Sequence, residues 1–300
     1  MVHLHAVTFF RSVFSMSVQA SQLRQEITQR AVQYAQAHRI NFRRSHFDFG
    51  SVVFLPDLQD QTHGNFYPAS YRAILSRAIW RKRLGKVLTV PDRLRNIDDD
   101  RRLCELDSCC SSDALLMNVF CHPRVRSSHR MLGLLGLDES AVPIFGWRAR
   151  VPLVTGKFDR TEVDMKLGTL LVESKLTESS FEDCEIKRMR EYSDFAEVFQ
   201  LSQLPRFRKQ YRCFQLLRNV LAAKAHNAIF CLITDARRTD LIQDWFEVLG
   251  AISTSQLRTR CKLLTWQELA EALPVSLQGF LALKYGIGAS VDVAANSLGF

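Results

Sequence analysis

The sequence has no G-x-x-x-x-G-K-[ST] phosphate loop and no G-x-G-x-x-G turn, so neither ATP nor dinucleotide chemistry is implied. No apolar run reaches the roughly 18 residues of a membrane-spanning helix, and no membrane association is expected. The opening stretch MVHLHAVTFFRSVFSMSVQA is apolar, but Arg11 interrupts it and the basic start of a secretory signal is missing. The expectation is a cytoplasmic chain, with Met16 as an alternative start. Internal repeats are absent. Eight cysteines are scattered without the spacing of a secreted disulfide framework, which fits a reduced compartment. Cys104, Cys109, Cys110, Cys121 and His122 lack the paired C-x-x-C knuckles of structural zinc and read as ordinary buried groups.

With 300 residues, 47% of them hydrophobic, the chain can bury a full core. A net charge of +9 and a pI near 9.3 point to a polyanionic partner, with nucleic acid the leading candidate.

The most informative stretch is FDRTEVDMKLGTLLVESKLTESSF, residues 158–181. β-Branched and aliphatic residues predict short strands over 161–165 and 169–176, with Gly168 in the turn between them. Alternation puts Leu171, Glu173 and Lys175 on one face of the second strand. A turn centred on Leu167 and Gly168 sets Asp164 opposite Leu171 and diagonal to Glu173, within about 7–8 Å, and Glu162 opposite Glu173 as a reserve acid. A three-residue turn without a bulge would send Asp164 to the other face. Carboxylates gathered in this way repel unless a cation or proton lies between them, and such pairs hold Mg²⁺ beside phosphate oxygens. Alternating charges on a strand are otherwise a solvated face, but Leu170, Leu171 and Val172 predict a buried central strand, where charges need partners.

Asp164 followed by Glu173-Ser174-Lys175 resembles the PD-(D/E)XK nuclease superfamily, although Val163 stands where the pattern has proline. Arg160-Thr161, the Lys175-Leu176-Thr177-Glu178 continuation and Gln215-Leu216-Leu217-Arg218-Asn219 are similar to a bacterial branch of restriction endonucleases. His63-Gly64-Asn65-Phe66-Tyr67-Pro68 and residues 111–120 extend the likeness, which spans about residues 60–270. The resemblance implies an α/β fold with an α-β-β-β-α-β core and a mixed sheet flanked by helices. It implies a core at 101–275, a mainly helical extension over 1–100 and a C-terminal helix and tail at 276–300. It further implies Mg²⁺, or Mn²⁺, held by Asp164, Glu173 and the Ser174 carbonyl, with Lys175 acting on the attacking water and Gln215 near the metal. DNA is the implied substrate, cut as an endonuclease of restriction or defence type, and a homodimer is compatible. A binding protein that keeps the fold without cutting, or a basic scaffold with a hairpin salt bridge, is the alternative. A Mg²⁺-dependent plasmid-nicking assay separates them.

Around this motif, apolar spacing predicts helices over 21–39, 68–85, 184–199 and 211–225, with strands over 47–55, 147–154 and 228–234. Residues 96–107 read as a linker, and Ser112-Asp113 as the cap of a helix ended by Pro123. Trp80 and Tyr71 read as core anchors. Asp113 and Asn118 are candidate additions to the site, and His122 and His129 read as structural. Basic residues at 68–86, with Lys157, Arg160, Arg206, Arg208, Lys209, Arg212 and Arg218, are the candidate phosphate contacts.

Overall fold

A computed structural model describes residues 17–45, 50–57, 61–87 and 104–288. The opening stretch to Met16, residues 47–49 of the expected first strand and most of the expected linker lie outside the described residues. Helix α1 (Val18–Ala37) starts at Ser17, whose hydroxyl accepts from the Ala20 N–H, and buries Leu23, Ile27, Ala31 and Ala35 along one stripe. Strands β1 (Phe42–Arg44) and β2 (Val52–Phe54) pair antiparallel. The single helix expected over 68–85 is instead α2 (Pro68–Leu75), α3 (Ala78–Arg81) and a 3₁₀ turn, Lys82–Gly85. It breaks because the Ser76 hydroxyl donates back to the Ala73 carbonyl and Arg77 turns extended. Helix α4 (Ser112–Phe120) is capped by Ser111 rather than by Ser112-Asp113, and every residue of it is buried. Helix α5 (His129–Leu135) follows.

Strands β3 (Ile144–Arg148), β4 (Glu162–Leu167) and β5 (Leu170–Ser174) form an antiparallel meander. The first of them begins three residues before the expected 147–154 and ends at Arg148. The helix expected over 184–199 is absent; β6 (Cys184–Glu185), α6 (Ile186–Met189) and α7 (Phe195–Val198) stand there. The apolar residues Ile186, Met189, Tyr192, Phe195 and Val198 recur at strict threes, which drift by about 60° per step around an α-helix and cannot hold one face. Hairpin strands β7 (Arg206–Phe207) and β8 (Gln210–Tyr211) pair with β6 in a small sheet. Helix α8 (Phe214–Ala225) leads into β9 (Ile229–Thr234), then α9 (Thr239–Gly250), α10 (Ser255–Arg258), β10 (Cys261–Thr265), α11 (Trp266–Ala270) and α12 (Val275–Tyr285).

The central sheet has the order β10-β9-β5-β4-β3, with β5, β9 and β10 parallel. This is the expected α-β-β-β-α-β order, running from α4 through the meander to α8 and β9, in a mixed sheet flanked by helices. All five residues of β5 are buried. Met165, Leu170, Val172 and Ile233 pack with α1, α4, α11 and α12 on one face. Leu171, Phe230 and Leu232 pack with α8 and α9 on the other. Each such side chain contributes about 1.5–3 kcal/mol on burial. Strands β3 and β4 roll at their middle. Phe145 packs on the first face and Trp147 on the second, as do their partners Met165 and Val163. Gly146, at φ +63, lies at the roll, between Phe145 and Trp147.

A smaller cluster joins Phe66, Tyr71, Ile74 and Trp80 to α4. Beside it Lys284 is fully buried, donating to the Gly64 carbonyl at 2.8 Å and to Asn65 Oδ1 at 2.6 Å, with its amine 4.3 Å from the Phe54 ring centroid. Burial pushes this amine well below the ordinary lysine range. All eight cysteines are free, and seven are buried. No helix among the described residues is long and apolar enough to cross a membrane.

Candidate active site

The β4–β5 hairpin places Leu167 opposite Leu170, so the turn centres on Gly168 and Thr169, one residue later than expected. Both leucines are buried, which favours strand positions for them and leaves Gly168, at φ +57, to take the bend. The shift keeps parity. Continued past the Met165–Val172 pair, the register brings Asp164 directly opposite Glu173 rather than diagonal to it, and Glu162 away from Glu173.

The ladder pairs end at Met165–Val172, and there a side chain takes over: Asp164 Oδ2 accepts the Ser174 N–H at 2.7 Å. Glu173 is buried, with Oε1 2.9 Å from Lys175 Nζ and Oε2 accepting from Asn219 Nδ2 at 2.7 Å. Asp164 keeps some accessible surface while protein crowds its carboxylate. That burial, with Glu173 and Asp113 nearby, pushes its carboxyl well above the usual carboxylate range. Burial alone would lower Lys175, but Glu173, Glu178 and Asp164 outweigh it and hold the ammonium above its ordinary value. The Lys175 backbone is pinned as well, its N–H on the Ile233 carbonyl at 2.8 Å and its carbonyl on the Trp266 indole at 3.1 Å.

A second ring surrounds these groups. Asp113 accepts from Arg83 at 2.9 Å and Lys86 at 3.0 Å, and Arg83 also reaches Glu162 at 3.0 Å. Burial alone would raise Asp113, but Lys86 and Arg83 hold it below the ordinary range. Arg83 and Lys86, expected on a phosphate track, are therefore committed inward, whereas Arg72, Arg81 and Lys82 are exposed. Glu178 accepts the Leu176 N–H at 2.6 Å and pairs with the Ser112 hydroxyl. Arg238, fully buried, holds the Leu176 and Glu178 carbonyls at 3.0 and 2.7 Å. Asn219 and Glu178 entered the sequence reading only through the resemblance and Arg83 only as a phosphate contact, so none of them is expected to hold the acids in place. A signal existed for Asn219, an amide inside an apolar helical stripe one turn beyond Gln215.

The remaining candidates are dispersed. Gln215 donates to Glu182 at 3.4 Å. Asn118 is spent on backbone groups of Asn65, Ala114 and Tyr67. His122 is buried at the end of α4, and burial lowers it. Lys157 and Arg160 are exposed in the β3–β4 connection, and Arg206, Arg208 and Lys209 are exposed on the β7–β8 hairpin. Arg212 pairs with Asp244 at 2.9 Å. Arg218 is buried on the Glu162 carbonyl at 2.8 Å, not on the surface where a phosphate contact needs it. Among the described residues no three His, Cys, Asp or Glu side chains gather as a metal cluster.

Comparison with curated proteins and with solved structures finds no match. A family model described as "Restriction Endonuclease associating with ARP" matches residues 21–286, so the chain belongs to that family, with a restriction-endonuclease-like fold and a nuclease-type function.

Proposed function

We propose that the chain is a Mg²⁺-dependent deoxyribonuclease that hydrolyses phosphodiester bonds of DNA as an endonuclease of restriction or defence type. The observation that carries this reading is the meeting of Asp164 with the Glu173-Ser174-Lys175 strand end, where one carboxylate is crowded beside another with a lysine ammonium alongside. The donor set fits the ion. Carboxylate and carbonyl oxygens are hard ligands that suit Mg²⁺ and admit Mn²⁺, and a cation held by Asp164 and Glu173 would offset both the burial and the repulsion that raise Asp164. Bound by Asp164, Glu173 and the Ser174 carbonyl, Mg²⁺ supplies charge neutralisation at the phosphate and acidity to a water.

The protein's own groups supply the rest. Lys175, whose amine lies 2.9 Å from Glu173 Oε1, orients the attacking water or helps to remove its proton. Asn219 fixes the Glu173 carboxylate, leaving its orientation independent of substrate. Lys157 and Arg160 on one side, with Arg206, Arg208 and Lys209 on the exposed hairpin, give the DNA backbone its cationic partners.

Supercoiled plasmid, incubated after chelation and again with Mg²⁺ restored, tests the reading. Nicking is expected only with the metal. Glu173→Ala and Lys175→Ala should each lower the rate about a hundredfold to a thousandfold while DNA binding persists. A folded Glu173→Ala protein that cuts at the parent rate removes this residue from the chemistry and leaves a DNA-binding role in its place.

A further inference from the structure

A cavity of about 560 Å³ is lined by Arg148, Arg150, Lys157, Phe158 and Arg160. Four of these five residues are cations and none is an acid. The one nearby carboxylate in the loop, Asp159, is turned to other uses, accepting from the Thr161 N–H and hydroxyl and from the Tyr192 hydroxyl at 2.6–3.0 Å. Arg148 has only a loose pair, 3.8 Å from Glu162, and is 65% exposed. The fifth residue, Phe158, leaves 46% of its surface open, and the Arg150 guanidinium lies 4.9 Å from its ring centroid. The loop is built, not slack: the Leu153 N–H bonds the Lys157 carbonyl and the Asp159 N–H the Val151 carbonyl, each at 2.9 Å.

An aromatic ring with nearly half its surface open, among cations of which only Arg148 has an acidic partner among the described residues, recognises a ligand that is both anionic and flat. Paired DNA presents its phosphates but hides the faces of its bases, so Phe158 gains a partner only where a base leaves the stack. The cavity is also close to the chemistry. Arg148 is the β3 partner of Glu162, and Glu162 is two residues from Asp164 on β4, about 7 Å at the rise of a strand. We propose that this cavity binds one unstacked nucleotide of the DNA strand beside the scissile phosphate, its base on Phe158 and its phosphate among Arg150, Lys157 and Arg160. The inference rests on the nuclease reading above for the identity of the strand, and not for the chemistry of the pocket.

The test is binding of a short labelled deoxythymidine oligonucleotide, and of the same strand made abasic, to the full chain in EDTA, read by fluorescence anisotropy. The parent protein should prefer the base-bearing strand about five- to a hundredfold. Phe158→Ala should abolish that preference without weakening the abasic strand, Phe158→Tyr should keep it, and Arg150→Ala with Lys157→Ala should weaken both strands. Equal affinity of the parent protein for the two strands, failure to bind either, or an intact preference in folded Phe158→Ala would overturn the proposal. Should circular dichroism show Phe158→Ala unfolded, Phe158→Leu, which keeps apolar bulk and loses the π face, decides in its place. Base-dependent binding without plasmid nicking would retain this pocket and end the nuclease reading; nicking without base-dependent binding would do the reverse.

Discussion

Asn219 and Asp113 serve the site without being its principal acids, and they serve it differently. Asn219 makes one bond, to Glu173 Oε2, and removing it leaves a buried carboxylate oxygen without a donor. Asn219→Ala should therefore weaken Mg²⁺ affinity or turnover about ten- to a hundredfold, seen as a rightward shift of the Mg²⁺ titration with KM for DNA unmoved. Asp113 works through charge. With Asp113→Asn, Arg83 and Lys86 lose their shared carboxylate, at a cost of about 3 kcal/mol in urea unfolding at neutral pH. Its carboxyl lies below the ordinary range when folded, so its contribution is fully present above the unfolded value of about 3.9 and is lost as pH falls through the lower folded value. The stability difference between parent and Asp113→Asn should shrink in that acid window, and a difference that stays constant with pH would mean that charge is not what Asp113 supplies.

Among the elements, the roll of β3 and β4 carries the sharpest demand. A Cβ on Gly146 would stand 2.2 Å from Arg83 Nη1 and 2.6 Å from Glu162 Oε2, on a backbone at φ +63, whereas one on Gly168 would meet only Ala141, at 3.6 Å. Gly168→Ala should cost about 1–2 kcal/mol for the left-handed backbone, and Gly146→Ala more than that, because Arg83 must also leave Glu162. Equal losses in urea titrations of the two variants would show that Arg83 gives way freely. The hairpin itself was legible from Gly168 and the leucines around it, and its parity survived a turn displaced by one residue. What the sequence does not display is the roll, since alternation assumes that every second residue shares a face, and Val163 and Met165 do not. The segment 184–199 was misread because hydrophobic spacing of three resembles four over a short window. Arg83 was unreadable as a site neighbour because its partners are 30 and 79 residues away. Asp164, Glu173 and Lys175, by contrast, are local to one hairpin.

For the whole molecule, the surplus of +9 should appear as salt-sensitive DNA binding. The affinity should fall with a slope of about −0.9 per phosphate contact in a plot of log K against log salt, and Arg208→Ala with Lys209→Ala should flatten it by about 2. Affinity independent of salt would deny the exposed hairpin a role in holding DNA. The buried amine of Lys284 sets a condition of another kind. Its two acceptors, Gly64 and Asn65, precede it by 220 and 219 residues, and neither can be satisfied by this amine until α12 has been synthesised. The His63–Pro68 loop and the layer formed by α1 and α12 thus close only once α12 has been made, whereas the β4–β5 hairpin has its pairing partners within a dozen residues. A ribosome-bound chain halted before Lys284 would hold the β4–β5 hairpin while still lacking the clasp that seals its N-terminal layer, which ties completion of that layer to the emergence of α12.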